Sequence, residues 1–157
     1  MAAEIMEMKM EACPPARLIG RRYDRPGDWG EWWANGWFDA LEALGVPPVY
    51  GDAYLSAQNA QDGSHWIGML FPEGTQTPEG FACADIPAAD YAVFYLRGDE
   101  QSGELFGEEP RRRCMAMLEQ AGMKSGAWRI DRCSCPRFTT PDGQGRVILD
   151  VLIMKEG

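Results

Sequence analysis

A single imidazole and five thiols limit the chemistry open to this 157-residue chain. Any histidine-based triad or H-E-x-x-H metal centre must pass through His65, which stands in Gly63-Ser64-His65-Trp66. A turn leads there into an apolar run, so His65 reads as a strand-entry residue rather than a general base. The thiols are Cys13, Cys83, Cys114, Cys133 and Cys135. An odd count without an export signal reads as reduced cysteine. Cys133 and Cys135 form C-x-C rather than the C-x-x-C of a zinc ribbon, and one histidine is too few to complete a site. No metal and no cofactor are expected. The chain has no G-x-x-x-x-G-K-[ST], G-x-G-x-x-G or G-x-S-x-G segment, which argues against nucleotide-dependent and hydrolase-fold chemistry. No catalytic residue is assigned.

Aromatic surface is what the chain has in excess, with six tryptophans and 11% aromatic residues. Positions 29, 32, 33, 36, 37, 40, 41 and 44 are Trp, Trp, Trp, Gly, Trp, Ala, Leu and Leu, the spacing of one helical face. Trp33 and Trp37 flank Gly36, a gap in the side-chain layer. Two readings stay open: a face that is all core, or one that partly lines a ligand pocket. Tyr54, Trp66, Tyr91, Tyr95 and Phe138 are the further aromatics assigned to a binding cleft.

The charge balance, Lys+Arg 15 against Asp+Glu 24, gives a net charge of -9. Such a surface repels phosphate backbones, so direct nucleic-acid binding is not expected. The dense basic run Arg111-Arg112-Arg113 points three ways from a helix and reads as a solvated face. No stretch approaches the ~18 apolar residues of a membrane span. The opening MAAEIMEMKMEA lacks the basic and apolar regions of a signal peptide, which places the chain in the cytoplasm.

The elements that must position these residues follow from periodicity and punctuation. A strand is predicted over 16–23, and Asp28 with Glu31 makes a capping-box start for a helix that Gly45 and Pro47-Pro48 stop. Strands are predicted over 49–57, 65–71, 81–86 and 89–97. In the last of these Tyr91, Val93 and Tyr95 share one face. A second helix starts near Glu108-Glu109-Pro110, carries the stripe Cys114, Met117, Leu118 and Ala121, and ends at Gly122. Strands over 127–133 and 147–154 close the chain. The order strand, helix, strand, strand occurs twice, in halves of about 13–86 and 87–157. A single α+β domain is expected: duplicated βαββ, with two helices packed on one curved, mainly antiparallel sheet and a cleft between the halves.

The stretch Ile86-Pro87-Ala88-Ala89-Asp90-Tyr91-Ala92-Val93-Phe94 resembles the "IPaGxYAVF" segment of the GyrI-like small-molecule-binding domain, the effector-binding domain of AraC- and MerR-type multidrug regulators. The early strand Arg17 to Tyr23, Gly27-Asp28-Trp29 at the helix start and the closing Leu149 to Ile153 resemble it too. The resemblance implies a duplicated βαββ fold with an aromatic cleft between the halves, often holding a buried glutamate in a late "fExY" element. Cys135-Pro136-Arg137-Phe138 matches that element here, so Pro136 stands where the acid is expected and Phe138 keeps the aromatic position. Asp131 or Asp52 would have to take over the carboxylate's part, attracting lipophilic cations or acting as a general acid. The regulators carry a helix-turn-helix before this domain, and about a dozen residues before the first predicted strand are too few for one.

Three functions follow. The first is a cytoplasmic protein that binds a drug-like, planar, apolar or cationic small molecule, with Trp33, Trp37, Tyr54, Trp66, Tyr91, Tyr95, Asp131 and Phe138 as its site. The second is a hydrolase of cyclopropane-bearing genotoxins. The third is a gyrase-inhibitor-like module that meets a basic protein partner through acids such as Asp99-Glu100, Glu104 and Glu108-Glu109.

Overall fold

Two proline corners shape the sheet. In the computed structural model, which describes residues 3–156, β1 (Glu4–Cys13) turns through Pro14-Pro15 into β2 (Ala16–Tyr23). Then come α1 (Trp29–Asn35), α2 (Trp37–Glu42), β3 (Ala53–Asn59), β4 (His65–Pro72) and β5 (Ala82–Ile86). Pro87-Ala88 turns β5 into β6 (Ala89–Asp99), followed by α3 (Glu108–Gln120), β7 (Ser125–Ser134) and β8 (Arg146–Lys155). The eight strands form one sheet in the order β1-β6-β8-β7-β3-β4-β2-β5, antiparallel at every pairing. β1 and β2 are six places apart in that order, which on a flat sheet would be ~29 Å. Their two-residue link spans at most ~11 Å. The sheet therefore curls until its two edges approach, with Cys13 beside Ala89 and Ala16 beside Ile86.

The curl buries one face without any helix. Leu18, Leu55, Trp66, Val93, Ile130 and Leu152 pack there into a core drawn from both halves. The other face carries the helices in two separate packs. Trp32, Phe38 and Leu41 of α1 and α2 cover Ile19, Ile67, Met69 and Phe71. Cys114 and Leu118 of α3 cover Phe94, Leu149 and Val151. Between the packs runs the β3–β7 pairing, where the two βαββ units meet. The architecture is the α+β arrangement the doubled element order predicts: a curved, open, antiparallel sheet with helices on it.

Three details differ from the sequence reading. A strand, β1, precedes the first one predicted. Its alternation is broken by a register shift between Ile5 and Glu7, which puts Ile5 and Met8 together against the α3-side core and hides the period of two. The second predicted strand, observed as β3, begins at Ala53 rather than Val49, because residues 49–52 form a turn whose Val49 N–H donates to Leu70 O at 2.8 Å. Lastly, the first predicted helix is two. Asp28 caps α1 by accepting from the Gly30 N–H at 2.9 Å, as expected. Gly36, at φ 67, then ends α1, its N–H turned back to the Trp32 and Trp33 carbonyls. That left-handed conformation suits glycine. It also rotates Trp37 off the face that carries Trp33.

Candidate functional site

The groove between the helix packs is floored by three cross-strand pairs of β3 and β7: Tyr54 with Cys133, Ser56 with Asp131, and Gln58 with Arg129. All six lie on the helix-bearing face because side chains alternate along each strand. At the Tyr54 end is a cavity of ≈ 290 Å³ walled by Trp29, Trp33, Tyr54, Phe106 and Phe138. Trp33 meets Tyr54 edge-on, with centroids 5.1 Å apart, and Phe106 meets Phe138 in the same manner at 6.4 Å. Trp33 and Phe106 keep 54% and 40% of their surface exposed. Two large apolar side chains held half in water at the mouth of an apolar cavity make this a candidate binding surface. Glu100 stands at the rim, and Glu42 accepts from the Tyr54 hydroxyl at 2.7 Å. Burial and that carboxylate hold the Tyr54 phenol protonated.

At the Gln58 end the groove opens into a second cavity of ≈ 300 Å³, which shares Trp29 and Phe106 with the first. Its lining is mixed: the polar and charged side chains Arg111, Arg129, Asp131, His65, Ser56 and Gln58 stand at one end, among apolar ones such as Trp66 and Ile67. Partial burial raises the proton affinity of Asp131 above an ordinary carboxylate's, against the opposing pull of Arg129, Arg111 and the Ser56 hydroxyl. Burial also lowers the pKa of Arg129. His65 is pushed down by burial and by the positive charge of Arg111 and Arg129. Burial and the nearby Asp131 hold the Cys133 thiol well above its usual range.

The structure brings Trp33, Tyr54 and Phe138 together around the aromatic cavity and sets Asp131 in the adjoining polar one. Trp37 lies elsewhere, edge-on to Trp32 and beneath the Arg21 guanidinium, 3.7 Å from its ring centre. Trp66 borders the polar cavity but packs in the helix-free core, its indole donating to Ser64 Oγ at 3.0 Å. Tyr91 is buried in that same core, and Tyr95 packs against it beside Arg137. Asp52 is exposed and borders a different cavity, lined by Tyr50, Arg132 and Arg137.

Arg111 corrects the reading of the basic run as a solvated face. Arg112 is exposed and Arg113 pairs with Glu109 at 2.8 Å, but Arg111 turns into the groove. The signal was in the spacing. Arg111 is three residues before Cys114 and seven before Leu118, on the buried stripe of α3. Arg129, Asp131 and Cys133 likewise follow a period of two.

No family model matches the sequence, and no curated protein matches it. Solved structures do match by fold. A bacterial transcription regulation protein from Staphylococcus aureus MU50 is 14% identical with a TM-score of 0.66, over 97% of this chain and 99% of that one. SAV2435 bound to tetraphenylphosphonium is 12% identical with a TM-score of 0.69, over 97% and 95%. The C-terminal domain of EcmrR is 12% identical with a TM-score of 0.64, over 99% of each. The chain shares the fold of these three structures. At such identities the likeness is one of fold, and the site rests on the residues described above.

Proposed function

We propose that this protein binds a small aromatic molecule, neutral or cationic, in the groove between its helix packs, as a GyrI-like ligand-binding domain. The observation that carries the reading is the open cavity walled by Trp29, Trp33, Tyr54, Phe106 and Phe138. Each ring stacked on a ligand adds ~0.5–1.5 kcal/mol beyond area burial, so two or three rings support micromolar binding. Glu100 at the rim, with Glu42 behind the Tyr54 hydroxyl, lets the cavity accept positive charge without the late glutamate that Pro136 replaces. The solved neighbour that holds tetraphenylphosphonium supports the reading. Five unpaired cysteines fit a reducing, cytoplasmic setting, and no described helix is long and apolar enough to cross a membrane.

The test is titration with tetraphenylphosphonium, followed by tryptophan emission. Wild type should quench saturably at micromolar concentration. Trp33→Ala should weaken binding about tenfold, since one well-placed ring is worth ~1.4 kcal/mol. Trp37→Ala should leave affinity unchanged. Equal effects of the two variants, or no saturable quench, would remove the aromatic cavity as the site.

Asp131 supports a second reading. A carboxyl whose proton affinity is raised by burial, beside an aromatic cavity, has the character of a general acid, as hydrolysis of a cyclopropane-bearing compound needs. Turnover of such a compound by wild type, abolished in Asp131→Asn, would establish that reading, and no turnover would end it.

A further inference from the structure

We infer that the polar cavity takes an anionic group, so that the groove also accepts an aromatic acid: a flat body in the aromatic cage joined to a carboxylate that reaches Arg111 and Arg129. The inference rests on the binding reading above and adds to it the chemistry of the ligand's far end. The two cavities adjoin at the shared walls Trp29 and Phe106, with the aromatic cage on one side and the charged side chains on the other. A molecule seated against those two rings therefore extends naturally into the polar part.

The charges there sum to a positive site within a chain of net charge -9. Arg111 and Arg129 are cationic, and among the described residues Asp131 is the one carboxylate lining that cavity. His65, pushed down by burial and by both arginines, is neutral at pH 7 and neither adds to nor offsets the balance. Glu108 on α3 and Asp24 before α1 act on the cavity from further away. Among the described residues Arg111 makes no hydrogen bond or ion pair, although it is only partly exposed. Arg129 has one bond, to Gln58 Oε1. A guanidinium offers five N–H donors in a planar fork that matches a carboxylate. Two such forks facing one cavity, with most of their donors unused, fit an incoming carboxylate better than any group already in place.

The probe pair is 2-naphthylacetate and its neutral amide, 2-naphthylacetamide, which share the ring and differ by one charge. The acid should bind wild type about tenfold more tightly than the amide. Arg111→Gln should bring the acid down to the amide's affinity while leaving the amide unmoved, and Arg111→Lys should keep part of the difference. His65, the chain's one histidine, supplies a local readout by proton NMR. Acid bound beside it should raise the His65 pKa, and the amide should not. An amide that binds wild type as tightly as the acid overturns the inference and leaves the cage reading standing. So does an acid preference that survives Arg111→Gln with His65 unmoved. If neither probe binds and tetraphenylphosphonium also fails, the cage reading falls and takes the inference with it.

Discussion

Arg137 Nε donates to Asp150 Oδ1 at 2.9 Å, tying the loop that carries Phe138 to a carboxylate buried on the opposite face of the sheet. Asp150 is fully buried and also accepts from Arg132 Nε at 2.8 Å. Arg132 in turn holds Glu11 of the edge strand β1. One buried acid thus joins the centre of the sheet, its edge and the outer wall of the aromatic cage. Asp150→Ala leaves Arg132 with only Glu11 in a poorly solvated place, and should cost about 3–5 kcal/mol in urea unfolding. Arg137→Gln should cost far less stability, because its side chain is partly in water. It should nevertheless weaken tetraphenylphosphonium binding by releasing Phe138. A variant that loses stability and affinity in proportion would show that the pair only holds the fold.

The sequence made some of this arrangement legible and hid the rest for physical reasons. β2 was readable to its end residues because apolar positions and the Arg25-Pro26-Gly27 turn bound it on both sides. The Asp28 cap and the Tyr91–Leu96 alternation were readable because local spacing alone determines them. β1 was not, since its register shift breaks the period of two. Trp33 and Trp37 looked equivalent on a helical wheel, and only the left-handed turn at Gly36 separates them. Alternation shows that Tyr91 and Tyr95 share a face, but not which face the helices cover. The groove itself joins residues from α1, β3, α3, β7 and the Phe138 loop, far apart in the chain. No local pattern announces that meeting: helical spacing turns Arg111 inward, but only the fold brings it and Phe106 to one groove.

Gly20 and Gly68 face each other across the β2–β4 ladder. A methyl group on Gly68 would collide with the Ile19 carbonyl oxygen, and one on Gly20 with that of Ile67. The obstacles are backbone, which cannot swing aside. Gly68→Ala should therefore push the strands apart and cost ~3 kcal/mol, the upper end of overpacking penalties. Gly143→Ala, with open space around its Cα, is the control and should leave the urea midpoint nearly unchanged.

Asp131 sets a pH dependence with a definite sign. Its folded-state pKa is raised by burial, so the folded protein holds that proton more tightly than the unfolded chain, whose aspartates titrate near ~3.9. The carboxylate then costs no stability below that unfolded value. The cost appears as pH rises from there through the folded pKa, and it is constant above. Asp131→Asn removes the titrating group. Its melting temperature should exceed wild type at pH 7, and the gap should close as pH falls toward 3.5. A variant less stable than wild type at pH 7 would mean that the ion pairing to Arg129 and Arg111 outweighs burial.

Cysteine reactivity should map the cavity directly. Cys83 and Cys135 are exposed, whereas Cys13, Cys114 and Cys133 are buried. Cys135 lies beyond the end of β7, so it does not share Cys133's place on the strand face. Burial pushes the Cys114 thiol up to about 12 and raises Cys13 and Cys133 as well, leaving little of the reactive thiolate at neutral pH. A disulfide reagent should therefore label Cys83 and Cys135 first, read by mass spectrometry of the peptides. The slow group divides by location. Cys133 lines the aromatic cavity, while Cys114 is sealed beneath α3. A small methanethiosulfonate can enter the cavity without unfolding the chain, but it reaches Cys114 only when α3 opens. Cys133 should label faster than Cys114, and saturating tetraphenylphosphonium should slow Cys133 at least tenfold while sparing Cys83 and Cys135. If the ligand slows Cys114 and Cys133 by the same factor, protection reports a general stabilisation, because ligand binding suppresses by one factor every opening that releases it. If it slows neither, the ligand sits somewhere other than against the Tyr54–Cys133 floor.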